Sequence, residues 1–345
     1  MADKKRILEI DALRVLCIVM LLCYHSFAIF SGGWPAVDGM VEIPFYSWAG
    51  KFFYSFMLPL WVFISGYLWG YQFGLKKNII SIKGLISKKM KKLLLPALIF
   101  GFLYLLAFGN IAELTTPKGI LIFLSGEGHL WFLPMLFWVF VFSYLILYVK
   151  LNDCFLLVVL LIVSAVSWNL PTLGIGNGLH YLFYFQLGTI IYKHRDSINH
   201  FAVKPWFIIS CMTVFFITFI ALTPLYREVS FLPTATIRER AISQVLLHVV
   251  SQPYQIFGIL TSYGIAVRYG MRNKSYSIVR TIALYSFGIY IFHQFILVYL
   301  YYHTSLPHRA HSYVLPWYAL LITLFMSVIF VNLCLRTKIG RFLLS

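Results

Sequence analysis

Apolar runs and short polar segments alternate along almost the whole chain. Ten runs approach or reach the ~20 residues that an α-helix needs to cross a bilayer core. They fall at 12–31, 50–72, 93–110, 129–149, 154–170, 178–193, 206–223, 244–268, 281–302 and 315–335. In lipid each backbone N–H and C=O must be satisfied within the protein, and a helix does so along its own length. The pattern therefore predicts an all-α integral membrane protein with about ten transmembrane helices. The longest polar segments, 73–92 and 224–243, are too short to build a core of their own. A single transmembrane domain over residues 1–345, with no appended soluble domain, is the expectation.

The basic residues give these runs a direction. Lys4, Lys5 and Arg6, the seven lysines from Lys76 to Lys92, Lys150, Lys193, Arg195, Lys204, Arg268, Arg272, Lys274, Arg280, Arg336, Lys338 and Arg341 fall on one set of alternating segments. The other set holds Lys51, Lys118, Arg227, Arg238, Arg240 and Arg309. Lys and Arg accumulate on the cytoplasmic side, so an asymmetry of 21 to 6 predicts that both termini are cytoplasmic. The opening "MADKKRILEID" shows no small-residue cleavage site and reads as a retained anchor.

Composition agrees. Of 345 residues 61% are hydrophobic and 11% charged, and the mean hydropathy is +0.83, outside the range of an ordinary soluble domain. The net charge of +17 would suggest nucleic acid in a soluble protein. Here membrane topology and acidic lipid account for it, and no nucleic-acid partner is expected. Cys17, Cys23, Cys154, Cys211 and Cys334 lack the spacing of a metal site and read as free thiols.

Polar residues inside the apolar runs carry the candidate chemistry. In "RILEIDALRVLCIVMLLCYHSF" a charged side chain at bilayer depth costs about 2.5–3.5 kcal/mol even on lenient scales. Eleven steps of 100° bring His25 to about 20° from the direction of Arg14, about 16.5 Å further along the axis. Asp11 lies on the same stripe as an i, i+3 neighbour of Arg14. Asp11 and Arg14 snorkelling to headgroups, and His25 bonding to a neighbouring helix, are the structural alternatives to a polar path lined by this stripe. A mid-membrane imidazole is also suited to moving protons near neutral pH. Glu127 and His129 open the fourth run in "LSGEGHLWFLPMLFW", with Trp131 as an interface residue, and His293 lies within the ninth. A belt tryptophan at Trp131 and structural roles for the histidines His129 and His293 are the alternatives there. Tyr24 and Trp61 read as packing. Lys89 and Lys92, an i, i+3 pair before the third run, suit the phosphates of a soluble ligand as well as acidic lipid.

Together these residues resemble the membrane-bound acyltransferase-3 family, which acylates sugars of bacterial surface polysaccharides. "EIDALRVLCIVMLLCYHSF" is similar to the family's first helix, with a basic residue, ten positions and a histidine, here Arg14 and His25, and Asp11 at the acidic position. "FMLPLWVFISGYLWG" with Ser65 and Gly66, "KKMKKLLLPAL", "GHLWFL" and "SFGIYIFHQFIL" follow as further family blocks in the family's order. Lys89 and Lys92 stand where the family carries two arginines, which keeps the charge and loses the bidentate fork. Glu127 precedes its block and has no counterpart in it.

The resemblance implies an O-acyltransferase of the bacterial cytoplasmic (inner) membrane with no permanently bound cofactor or metal. Acyl-coenzyme A, most often the acetyl form, would be the co-substrate, and a hydroxyl of a lipid-linked or cell-surface sugar the acceptor. Membrane lipid and polysaccharide-assembly proteins are the further partners implied. In these terms Lys89 and Lys92 take the nucleotide phosphates and Arg14 holds the donor at the throat of a channel. His25 acts as general base or as nucleophile, and Glu127, His129 and His293 support the acceptor side. The rival readings are a transporter or flippase for a lipid-linked sugar, and a non-catalytic subunit of an export complex.

Overall fold

The computed structural model describes residues 7–37, 39–75, 81–167, 173–230, 236–272 and 276–344. Of the residues named above, Lys4, Lys5, Arg6, Lys76, Lys77 and Lys274, with 168–170 of the fifth run, lie outside the described residues, as do the side chains of Arg240 and Arg272.

The described residues are helical and contain no strand. The helices are α1 (Leu8–Ser26), α2 (Ala28–Ser31), α3 (Pro44–Tyr54), α4 (Met57–Leu75), α5 (Ile82–Lys89), α6 (Leu95–Phe108), α7 (Pro117–Ser125), α8 (Phe132–Ile146) and α9 (Asp153–Ser167). They continue as α10 (Ile175–Lys193), α11 (Arg195–Ala202), α12 (Pro205–Ser230), α13 (Ile237–Arg272), α14 (Ser277–Tyr302), α15 (Leu306–Arg309), α16 (Leu315–Arg336) and α17 (Lys338–Leu344). Among the described residues six stretches are long and apolar enough to cross a membrane: Pro44–Gln72, Ile82–Phe108, Gly128–Ile146, Pro205–Arg227, Ser277–Tyr302 and Leu315–Arg336. Large apolar side chains on α12 and α16, among them Ile217, Ile220, Leu321 and Phe325, face outward, as a lipid-embedded surface requires. The chain is thus an all-helical, multi-pass membrane protein.

The remaining expected runs are helical but less apolar or shorter. α1 carries Glu9, Asp11 and Arg14. α10 and α13 carry His180, Gln186, His248 and Gln252 among their buried residues. The 15 residues of α9 span about 22 Å, less than the ~30 Å of a bilayer core.

Several boundaries differ from those the apolar pattern suggests. The second run is two helices, α3 and α4, parted at Ser55 and Phe56. Much of the 73–92 and 224–243 segments is helix. The side-chain hydroxyl of Ser81 accepts from the Gly84 N–H and starts α5, and Thr116 with Pro117 starts α7 in the same way. α13 begins at a capping box, in which Thr236 and Glu239 each accept the other's backbone N–H, at 3.1 and 2.9 Å.

The chain divides into two compact units, Met1–Leu58 with Ser262–Ser345, and Pro59–Thr261. In the first, α14 packs against α1 and α16, and α3 against α1 and α2. A cluster of Cys23, Phe27, Ile43 and Tyr46 and another of Ile29, Leu297, Tyr301, Leu315 and Ala319 fill the spaces between these helices. In the second unit α10 lies against α8 and α9. α4 and α10 meet at glycines on both sides: a Cβ on Gly66 would collide with the Phe185 carbonyl, and one on Gly188 with the Phe63 carbonyl. Thr189 donates from its hydroxyl to the Gly66 carbonyl at 3.1 Å across this close approach. Asp153, opening α9, takes hydrogen bonds from Lys193 and His194 at the end of α10. Burial opposes charge on Asp153, but these bonds outweigh it and hold the carboxyl below its ordinary value.

Candidate functional site

His25 lies in the last turn of α1. The helix stops because Phe27 leaves helical geometry, and the Ser26 carbonyl, one of the acceptors a helix end leaves open, takes the Tyr301 hydroxyl of α14 at 2.7 Å. After α2 the chain turns through left-handed Gly32 (φ 76°), and the Trp34 N–H returns to the Ala28 carbonyl at 3.1 Å. Tyr302 donates to the Pro35 carbonyl at 2.7 Å and holds the returning strand of chain on α14.

This arrangement surrounds the half-buried His25 with rings. The edge of Tyr24 is 4.7 Å away between centroids, His293 of α14 is 4.9 Å away, and Trp34 is 5.4 Å away. Tyr24 in turn stacks on Tyr54 at 4.4 Å. His293 is fully buried. Its Nδ1–H donates to the Tyr290 carbonyl, one turn earlier, at 2.6 Å. That bond selects the tautomer in which Nε2 is the basic nitrogen.

Further down α1 the stripe is intact, since the helix is continuous from Leu8 to Ser26. Asp11 is buried and Arg14 half-buried, one turn apart.

The other expected site residues belong to the second unit. His129 is buried in a 3-10 turn, Gly128–Trp131, that leads into α8, with its ring 6.2 Å from that of Tyr104. Gly126 (φ 100°) makes this turn, and a Cβ there would run into the Trp131 backbone. Glu127 is half-buried beside it. Burial, and then the Glu113 charge, push its carboxyl up, against a hydrogen bond from the Gly128 N–H. Lys89 and Lys92 differ in burial. Lys89 ends α5 with its Nζ 3.1 Å from the Phe140 ring centroid, a cation–π contact, while Lys92 is exposed. Met90–Leu94, which includes Lys92, forms a π-helical turn, whose i→i+5 bonding places more residues in the turn than an α-helix does, with Lys92 still in electrostatic reach of Lys89.

Two features are absent from the sequence reading. One is the position of Trp34, with its ring, like that of Tyr24, packed beside His25. The other is a second histidine pair, His180 of α10 and His248 of α13, with ring centroids 4.8 Å apart. His180 Nδ1–H donates to the Ser164 carbonyl at 3.0 Å, and the Gln252 side-chain amide lies 2.8 Å from His248 Nε2. The i, i+4 spacing of His248 and Gln252 within an apolar stretch was the available signal. Among the described residues no group of three His, Cys, Asp or Glu is placed to hold a metal ion.

A family model described as an acyltransferase domain matches residues 7–336. No curated protein and no solved structure matches the chain. The matched span runs from the start of α1 to the end of α16 and takes in the ring-lined end of α1 with its facing histidine: the chain belongs to the membrane acyltransferase-3 family and is an acyltransferase.

Proposed function

We propose that the protein moves an acyl group, acetyl in the simplest case, from cytoplasmic acyl-coenzyme A to a hydroxyl of a lipid-linked or cell-surface sugar, with His25 at the reacting centre. The observation that carries this reading is the pairing of His25 with His293. On this proposal a ring nitrogen of His25 takes the sugar hydroxyl proton as the oxygen attacks the thioester carbonyl. Collapse of the tetrahedral species breaks the C–S bond, and the proton passes to the departing thiolate, giving ester and free coenzyme A. His293 Nε2 orients the His25 ring by accepting its opposite N–H. The second route on the same residues is an acyl-imidazole at His25, formed first and then attacked by the sugar.

Arg14 anchors the donor on the same face of α1, and Asp11 steadies Arg14 from one turn away. Lys89 and Lys92 supply charge for the nucleotide phosphates, and His129 and Glu127 serve the acceptor side. The reading keeps ten crossings with both termini in the cytoplasm of a bacterium, supported by the asymmetry of basic residues. Membership of an acyltransferase family favours transfer over transport.

Membranes containing the protein, incubated with radiolabelled acetyl-coenzyme A, should pass label to extractable glycan, and membranes containing His25→Ala should not. Equal labelling by the two would remove His25 from the chemistry.

A further inference from the structure

We propose that Trp34 is the platform on which the acceptor sugar lies, with the C–H face of a pyranose ring against the indole and one of its hydroxyls turned to His25. This inference rests on the reading of His25 as the reacting centre.

The indole is fixed from the backbone outward. The main-chain N–H of Trp34 donates to the Ala28 carbonyl, and the carbonyl of the next residue, Pro35, accepts from the Tyr302 hydroxyl. Tyr301 meets the ring edge-on at 6.3 Å and 79°, and Tyr302 lies 6.5 Å away at 49°. Those contacts support one side of the indole. The ring as a whole is only half-buried, and Gly32, Gly33, Pro35 and Ala36 around it are exposed. A tryptophan used purely as filler would be sealed by its neighbours. This one is braced from behind and open beside a histidine.

A pyranose suits that opening because it is amphipathic in the same sense as the site. Its axial C–H groups make an apolar face, which an electron-rich aromatic face attracts, and its hydroxyls project around the rim. The indole is inclined at 38° to the imidazole with 5.4 Å between centroids, so a ring resting on Trp34 has its rim toward His25. Tyr24, stacked on the partly exposed Tyr54, bounds the other side of the imidazole. Gly33 keeps the space between these walls, since a Cβ there would sit 3.3 Å from the Tyr24 hydroxyl. An apolar surface with a few directed polar groups is the usual make-up of a small-ligand site.

The test measures transfer from radiolabelled acetyl-coenzyme A to the methyl pyranosides of glucose, galactose, mannose and N-acetylglucosamine, varying each substrate in turn. With Trp34→Leu the KM for the accepted pyranoside should rise about tenfold, the upper range for loss of one aromatic stacking contact, with the donor KM unchanged. Trp34→Phe should show a smaller rise. It also covers the case in which the leucine variant does not fold. An acceptor KM within twofold of wild type in the phenylalanine and leucine variants overturns the platform and leaves His25 standing, as does a fall confined to kcat. Wild-type protein that labels none of the pyranosides overturns the platform and the sugar-acceptor reading together, and His25→Ala run in parallel reports on the histidine separately.

Discussion

The rings of His25 and His293, from opposite ends of the chain, face each other with 4.9 Å between centroids. Groups that act as a unit lose activity non-additively. His25→Ala should lower transfer by about 10²- to 10⁴-fold, the contribution of a positioned acid-base group. His293→Ala should lower kcat by less, and the double variant should match His25→Ala alone. Initial rates normalised to membrane-inserted protein check this. Retention of more than about a tenth of wild-type transfer by His25→Ala, well short of the acid-base range, would make His25 a packing residue, and multiplicative losses in the double variant would separate the two rings.

Arg14 is on the α1 face that leads to His25, about 16.5 Å away along the axis. Its loss should weaken donor binding and also let the thioester wander, and misplacement slows reaction steeply. Arg14→Ala should therefore raise the donor KM and lower kcat, with Arg14→Lys recovering part of each. A variant altered in neither parameter would leave Arg14 as a headgroup contact.

The different surroundings of Lys89 and Lys92 split an effect that the sequence assigns to both. Lys92 is exposed, and phosphate contacts far from the reacting carbonyl act on binding more than on kcat. Lys92→Gln should raise the donor KM with kcat little changed. Lys89→Gln also forfeits the contact with Phe140, worth about 0.5–2 kcal/mol, so its thermal unfolding in detergent should shift down. Lys92→Gln, at an exposed side chain, should shift it less. An unchanged donor KM in the double Gln variant would reduce the basic run to a topology signal.

The α4–α10 crossing admits no side chain at Gly66 or Gly188. Gly66→Ala and Gly188→Ala should each force the two backbones apart, break the Thr189 bond to the Gly66 carbonyl, and yield protein that aggregates on extraction. Gly32→Ala serves as the contrast: it meets no neighbour and bears only the strain of a positive φ. Size-exclusion profiles of fluorescently tagged variants separate the cases, and a monodisperse Gly188→Ala would contradict the close approach.

Orientation is open to labelling. Lys83 is exposed on α5, in the basic segment expected inside. Cysteine at position 83, in a background without the exposed Cys154, should react in intact cells only with a membrane-permeant thiol reagent. Reaction with an impermeant one would invert the topology and move the donor to the other face.

The helical class, the chain order of the main helices and the stripe of Asp11, Arg14 and His25 were legible in the sequence, because a 3.6-residue period relates positions within one helix. Capping chemistry was legible too, as the Thr236 and Glu239 box shows, but apolar run length alone passes over it and starts the helix seven residues late. Pro59 and Pro96 each stand four residues after a break, at Ser55 and within the π turn Met90–Leu94, and lack the N–H that those i−4 carbonyls would take, a signal that apolar run length ignores. What periodicity does not contain is which helices face each other. His293 meets His25 because α14 packs on α1, and His180 meets His248 through the packing of separate helices in the same way. Trp34 reaches His25 only because left-handed Gly32 and the Tyr302 hydroxyl fold a short loop back onto the helix end. The sequence by itself determined which residues carry the polar chemistry into the apolar helices, since that depends on local composition and spacing. Tertiary structure decided which of them stand together, since helix packing rests on the fit of side chains far apart in the chain.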